Sequence, residues 1–424
     1  MSSMSSETVP SDASRTDTRI RHGSADFRRT NLALFAAGFC NFSLMYCVQP
    51  LMPTFSTTFG VHPAEASLSL SLTTGVLAFA MLACGALSDA RGRKQVMKVS
   101  LLLSSLLTLV TALTPNWHGL LLLRALMGLS LSGVPAVAMA YVSEEMHVDS
   151  VGLAMGLFIG GSAVGGMGGR LLTGVFTDVL GWRAAIACIG AIGLVAALVF
   201  WRTLPESRHF QARRLRAGAL ARTLGELLRE RGLRWLFIEG FLLMGTFVTL
   251  YNYIGYRLLA PPYSLSVSAE GAIFAVYLVG IFSSTWMGHV ANRMGRRKCF
   301  WSAFVLLLVG MALMLLQPLA LVVLGLAVVT FGFFAGHSMA ASWVGRRAPH
   351  SKAQASSLYL FAYYMGSSLA GVAGGLFWSR DGWLGVTLFT ALLTVVGLFG
   401  ALRLIAIPPL ATSRNTPIHG GAAQ

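Results

Sequence analysis

Charge is what this chain has least of. Only 11% of its 424 residues are Asp, Glu, Lys or Arg, whereas soluble domains carry about a quarter. Acids are the scarcer sign, 16 against 32 basic residues. A solvated globular surface is therefore excluded, and the polar stripes that a large soluble helical protein needs are missing. The five cysteines, Cys40, Cys47, Cys84, Cys188 and Cys299, have no C-x-x-C spacing, so neither a disulfide framework nor a metal site is expected. No nucleotide-binding loop, nucleophile motif or paired carboxylate is seen, so neither a primary pump nor an enzyme is expected, and no cofactor is called for.

Long apolar runs are what the chain has instead. Hydrophobic residues make up 55% of it. Runs of about 20 residues recur from end to end, each long enough to cross ~30 Å of hydrocarbon as a helix. In lipid such a run must be helical, since no water is present to satisfy its backbone. The expected spans are 31–56, 65–88, 96–113, 117–142, 152–175, 182–203, 233–259, 269–290, 300–316, 318–343, 354–378 and 383–407. The fold class expected is an all-α polytopic membrane protein of twelve transmembrane helices.

A net charge of +16 would suit nucleic acid, but its distribution argues for topology. Arg15, Arg19, Arg21, Arg28 and Arg29 precede the first span, and Arg91, Arg93, Lys94 and Lys98 follow the second. Nine arginines surround the central loop, from Arg202 to Arg234. Arg293, Arg296, Arg297 and Lys298 follow span eight, with Arg346, Arg347, Lys352, Arg403 and Arg414 beyond. With twelve spans these loops share one side, and the positive-inside rule places that side and both termini in the cytoplasm. The lipid bilayer, not nucleic acid, is the partner read from this charge; a monomer in a bacterial inner membrane is expected. No cleavable signal peptide is seen, because the first apolar run is too long and lacks an A-x-A-like end.

The chain also divides and repeats. Residues 1–30 are expected to be a disordered cytoplasmic tail, 31–203 and 233–407 two six-helix bundles, 204–232 a cytoplasmic linker, and 408–424 a second tail. In the linker Leu220, Leu224, Leu227 and Leu228 share one helical face, with Arg222, Glu226, Arg229 and Glu230 opposite. Either an amphipathic helix on the anionic leaflet or a flexible charged linker fits this. Gly85-x-x-x-Asp89-x-x-Gly92-Arg93-Lys94 recurs as Gly288-x-x-x-Asn292-x-x-Gly295-Arg296-Arg297. Gly181-Trp182 is echoed by Gly382-Trp383, and Gly165, Gly168 and Gly169 by Gly371, Gly374 and Gly375. Three echoes in one order indicate a duplicated six-helix unit, and parallel repeats about a midplane site are a transporter architecture.

These motifs resemble a known family. The 85–94 segment looks like the loop signature of the major facilitator superfamily, and Arg124-x-x-x-Gly128 resembles its R-x-x-x-G signature. The Leu204-Pro205-Glu206-Ser207 exit from span six is also typical. Gly161, Gly165, Gly166, Gly169 and Arg170 resemble the span-five motif G-x-x-x-G-P-x-x-G-G of drug:proton antiporters, with Gly166 in place of the proline and Arg170 in place of the last glycine. Gln49-Pro50 and Asn252-Tyr253 add a likeness to the YnfM-like group of twelve-span exporters. The resemblance implies alternating access driven by a proton gradient.

Candidate residues follow from position and chemistry. Asp89 is expected to cap the N-terminus of span eleven near Ser351 when the cytoplasmic side closes, or merely to neutralise neighbouring arginines. Its counterpart Asn292 carries no charge, so the latch should be asymmetric. Gly161, Gly165 and Gly169 offer a smooth face for close helix contact, expected to meet span eight as a seam against proton leak. Arg124 is expected to donate to Asn41 and Gln49 on span one, for coupling or for structure. Arg170 is expected to snorkel or to pair with Asp178. Glu239, inside span seven, can take a proton or a substrate but not both, unless it pairs with a basic loop residue. His337 is either a second titrating group or a satisfied hydrogen-bond partner. Tyr359, Tyr363 and Tyr251, Asn252, Tyr253 suit an aromatic cavity for amphiphilic solutes, whereas Tyr256 and Tyr263 read as interface anchors.

The sequence thus points to a secondary transporter whose partners are a small-molecule solute and protons. Export of drug-like or small organic solutes is one reading, and symport of an organic anion or sugar the other. A non-transporting sensor would need an added soluble domain, and neither tail is large enough.

Overall fold

The computed structural model describes residues 19–210 and 217–407; residues 1–18 of the expected tail, 211–216 of the linker and the 408–424 tail lie outside it. Among the described residues the fold is helical, with one isolated bridge between Ile20 and Met146. The stretch 19–30 is not tail-like: Ile20 N–H donates to Glu145 O at 2.8 Å, and the first helix begins at Ala25 with Ser24 as its cap.

Among the described residues, ten helices are long and apolar enough to cross a membrane. Span four is broken into Trp117–Leu131 and Pro135–Glu145, since Pro135 has no N–H to continue the ladder. The 55-residue helix Lys352–Ala406 holds two crossings, divided at Asp381 and Gly382 by non-helical angles. Twelve crossings result. The helices overrun several expected spans, Val148–Leu180 for 152–175 being the clearest case, because hydropathy marks the hydrocarbon while the helix runs on into the interface. In the linker, Ala217–Arg229 is helical, with Leu227 buried.

The repeat is visible in the backbone. Gly92 and Gly295 both have φ of 91°, with ψ of 144° and 134°, a conformation that side chains with a Cβ rarely adopt. The second glycine of each loop motif is therefore required by the turn it makes.

The two bundles meet along spans two with eleven and five with eight. Define as the basic end the one carrying residues 85–94 and 288–297. At the far end Gly375 lies against the Ala64 backbone and Gly174 against Val267 O, and Asp178 accepts from Ser268 N–H at 2.8 Å. Ser368 Oγ donates to Ser71 O at 2.8 Å, and Phe79 meets Phe361 edge-on at 5.2 Å. Towards the basic end the same helices present open faces: a Cβ at Gly85, Gly152, Gly156, Gly160 or Gly288 would meet no atom within 4 Å.

The span-five glycines do not form the expected seam with span eight. Gly161, Gly165 and Gly169 lie against the backbone of Phe35, Phe39 and Ser43 in span one, within the same bundle. Gly174, one turn further, makes the crossing contact. A Gly165→Leu substitution should therefore drive a side chain into the Phe39 backbone and cost about 1–3 kcal/mol or more, whereas Gly156→Leu should leave stability unchanged. Thermal unfolding of both variants in detergent checks this; equal melting would contradict the packing.

Candidate functional site

At the level where the bundles join, two crossings lose helical regularity. Span one breaks after Tyr46 into the short 3-10 turn Gln49–Leu51 before Met52–Phe59. Span eight is interrupted by the 3-10 turn Phe274–Val276. Irregular backbone at membrane depth survives only where protein covers it, and both breaks are covered here.

Arg124 covers the first. It is fully buried and donates to Leu44 O at 3.1 Å, Met45 O at 2.6 Å and Ser69 O at 2.6 Å. These include carbonyls freed where span one stops being helical. The expected donation to Asn41 and Gln49 side chains is not made, and Arg124 serves the backbone. Asn41 lies buried, with neither end of its amide partnered.

Gln49 belongs instead to Arg170. The Arg170 Nε donates to Gln49 Oε1 at 2.5 Å and its Nη1 to Gly166 O at 2.5 Å. Gln49 Nε2 in turn donates to Asn252 Oδ1 at 2.6 Å. Gln49 and Asn252 are 203 residues apart, the offset of the repeated loop motif, so the two bundles touch through equivalent positions. The Arg170 guanidinium carbon lies 4.1 Å from the ring centre of Tyr46, 4.7 Å from Tyr277 and 5.3 Å from Phe274, distances at which ring faces attract a cation. Arg170 is 1% exposed. It neither snorkels nor pairs with Asp178, because a shorter reach to Gln49 and three rings satisfies it inside the protein. Tyr256, expected as an interface anchor, also joins the bundles, donating to Met52 O at 2.9 Å and meeting Ser56 Oγ at 2.8 Å.

On the basic side of this knot stands an aromatic wall. His337 Nδ1 is 2.9 Å from Tyr359 OH; its ring stacks on Phe333 at 5.9 Å and lies 4.7 Å from Tyr363. His337 and Tyr363 are half-buried and Tyr359 is buried. Tyr251 lies beyond, bonded to Thr330 Oγ1 at 2.6 Å.

Glu239 lies apart. It is fully buried with neither oxygen hydrogen-bonded, and it faces Gly397 and Gly400 of span twelve beside Trp235. No basic loop residue reaches it among the described residues, so the expected interfacial pairing is not made. A groove of about 390 Å³ lined by Phe282, Trp286 and His289 runs along one face of span eight, away from all these groups.

Asp89 pairs with Arg93, and not with the start of span eleven. Arg93 also holds Glu144 at 2.7 Å and Ser88 at 2.6 Å, and Lys94 holds Glu206 at 2.6 Å. In the second bundle Asn292 accepts from Arg296 at 3.0 Å. The counterpart of Glu144 there is Arg347, which turns to Glu230 at 2.6 Å. Burial opposes charge on Glu230, but hydrogen bonds from Arg347 and from the backbone of Gly232 and Leu233 hold its carboxyl below the usual range.

Sequence reasoning missed Glu270. It is 1% exposed at the far end of span eight, with Oε2 buried and unpartnered. It fell within the expected span 269–290, where an acid next to a boundary reads as interfacial.

A model of the Major Facilitator Superfamily matches residues 34–269 and 242–423. The chain is 49% identical over 399 residues to the inner membrane transport protein YnfM of Escherichia coli (strain K12), covering 94% of this chain and 96% of that one. It is 49% identical over 382 residues to the uncharacterized MFS-type transporter YybF of Bacillus subtilis (strain 168), covering 90% and 95%. The fold resembles the crystal structure of the nucleoside transporter NupG, with a TM-score of 0.75 at 16% identity, covering 88% of this chain and 99% of that one. It also resembles a bacterial homologue of the human lysosomal transporter Spinster in an inward-facing and occupied conformation, with a TM-score of 0.72 at 17% identity and coverage of 91% and 96%.

If Arg124 is a backbone cap, Arg124→Gln strands buried acceptors at about 1–3 kcal/mol each. The variant should unfold at clearly lower temperature in detergent. Unchanged melting with lost transport would instead assign Arg124 to coupling.

Proposed function

We propose that this chain, which belongs to the major facilitator superfamily, is a proton-coupled exporter of small amphiphilic organic solutes working by alternating access in the bacterial inner membrane. The carrying observation is that the two bundles touch at one end through the Arg170–Gln49–Asn252 knot, while glycines of the same helices stand in open space at the other. With the basic end cytoplasmic by charge bias, the structure is read as an inward-open state. The solute then enters against His337, Tyr363 and Tyr359, and rocking of the bundles opens the knot to the outside. The Asp89 contact with span eleven belongs to the opposite state in this reading, which is why Asp89 rests on Arg93 here.

An aromatic wall with few charges supports amphiphilic solutes over strongly ionic ones. The competing reading, import of an organic anion, would rest on Arg170. Its Nε and Nη1 are already given to Gln49 and Gly166 and its faces to aromatic rings, which favours the exporter. Glu239 is the proton carrier in this account, because charge on a carboxylate with no partner is costly. Its place against Gly397 and Gly400, beside the Gly240 on which the Tyr359 ring packs, sets the proton directly behind the wall that meets the solute.

Solute-induced proton flux in proteoliposomes, screened across cationic drugs, sugars and organic acids, tests this. Cationic or neutral amphiphiles should drive flux, and Glu239→Gln should reduce it at least tenfold while the protein stays monodisperse. A response confined to organic anions, or undiminished flux in the variant, would overturn the respective assignment.

A further inference from the structure

Glu270 is a buried acid that the transport scheme does not use, and it lies in the joint between the bundles. Its neighbour Gly271 sits against Arg170 O and Gly174 Cα of span five, and its own Oε1 lies 3.1 Å from where a Cβ of Gly255 would be, with Pro53 beside that same position. Residues of spans one, five, seven and eight thus close around it, and a larger residue at Gly255 would press on the carboxyl. The groups that face this region are few. Span five brings Arg170 and Asp178, span seven brings Tyr256, and span one brings Tyr46. Asp178 is committed to Ser268 N–H, Tyr256 to Met52 O and Ser56, and Tyr46 to the Arg170 guanidinium.

Arg170 is the only cation among these, and it makes no ion pair with Glu270 within 4.0 Å among the described residues. Its Nε and Nη1 are spent on Gln49 and Gly166, and aromatic rings cover it. An ionised Glu270 would therefore be sealed into the closed joint with Oε2 unpaired and only partial compensation from Arg170. When the joint opens to the outside, water reaches the same carboxyl and the penalty vanishes.

We propose that Glu270 is a proton-binding site of the external joint, and that the joint closes only after this carboxyl has taken a proton from external water. The step is a simple protonation: a water-borne proton bonds to one carboxylate oxygen, and the neutral acid is then buried. The site is distinct from Glu239, which lies against span twelve in the second bundle. The inference rests on the alternating-access reading and adds a condition to it: a carrier that has opened outwards stays open until Glu270 is protonated.

Spin labels at Thr58→Cys and Ser379→Cys, exposed far-end positions in opposite bundles, report the joint by pulsed electron resonance in lipid nanodiscs. The full chain is used in a background lacking Cys84 and Cys188. Raising pH from 5.5 to 8.5 should shift the wild-type distribution from the short to the long distance, by up to about tenfold per pH unit for one proton. Glu270→Gln should hold the short distance throughout, and Asp178→Asn should keep the wild-type response. A wild-type distribution independent of pH overturns the proposal without any variant. So does a Glu270→Gln protein that still responds, or an Asp178→Asn protein that does not. Solute-driven proton flux in the same preparations separates the two claims. Flux kept with a pH-independent joint removes this inference alone. Flux absent with a responsive joint removes only the proton-coupled reading.

Discussion

A polar group inside hydrocarbon must find its partner within the protein, and that constraint shapes every informative feature of this molecule. Where span one breaks, Arg124 supplies donors to the stranded carbonyls. Where the bundles meet, Arg170 would be prohibitive alone, and is held by Gln49, Gly166 O and three rings. Polar residues that are satisfied in this way hold the architecture. Among the buried polar groups left without a partner, Asn41, Glu239 and Glu270 lie inside the spans, and the two acids are the proposed sites of proton binding.

Duplication sets the geometry of the joint and divergence sets its behaviour. Gln49 and Asn252 hold equivalent places in the two bundles and meet each other. Gly92 and Gly295 make the same turn with the same φ. The charges around those turns have diverged: Arg93 finds Asp89 and Glu144, whereas Arg296 faces Asn292 and Ser342. The two bundles are therefore alike in backbone and unlike in charge: the first pairs its arginine within the loop region, whereas in the second Arg347 turns to Glu230.

The fold was legible because its causes are local and repeated. Apolar runs of fixed length, punctuating glycines and a biased set of arginines report crossings without reference to tertiary structure. The site was legible only in its membership. Gln49, Asn252, Arg170, His337 and Tyr359 stood out as polar or aromatic residues in apolar runs, yet their partners did not. Arg124 was assigned to side chains, although the carbonyls exposed by the break at Tyr46–Gln49 were nearer, because that break is a tertiary event. For Arg170 the sequence offers only snorkelling or Asp178 on its own helix, since periodicity registers neighbours along one helix and is blind to Tyr277 on another. The span-five glycines carry no mark of which helix they touch, and span one proved to be the partner.

The central claim is that one joint closes as the other opens. Measuring label pairs at both ends in one lipid preparation tests it most directly: Thr58 with Ser379 at the far end, and Val148 with Met294 at the basic end, all four exposed. The account predicts reciprocal populations, with the far-end pair short whenever the basic-end pair is long, and the two exchanging together when solute is added. Distances that lengthen together at both ends, or stay fixed at both while transport proceeds, would contradict it.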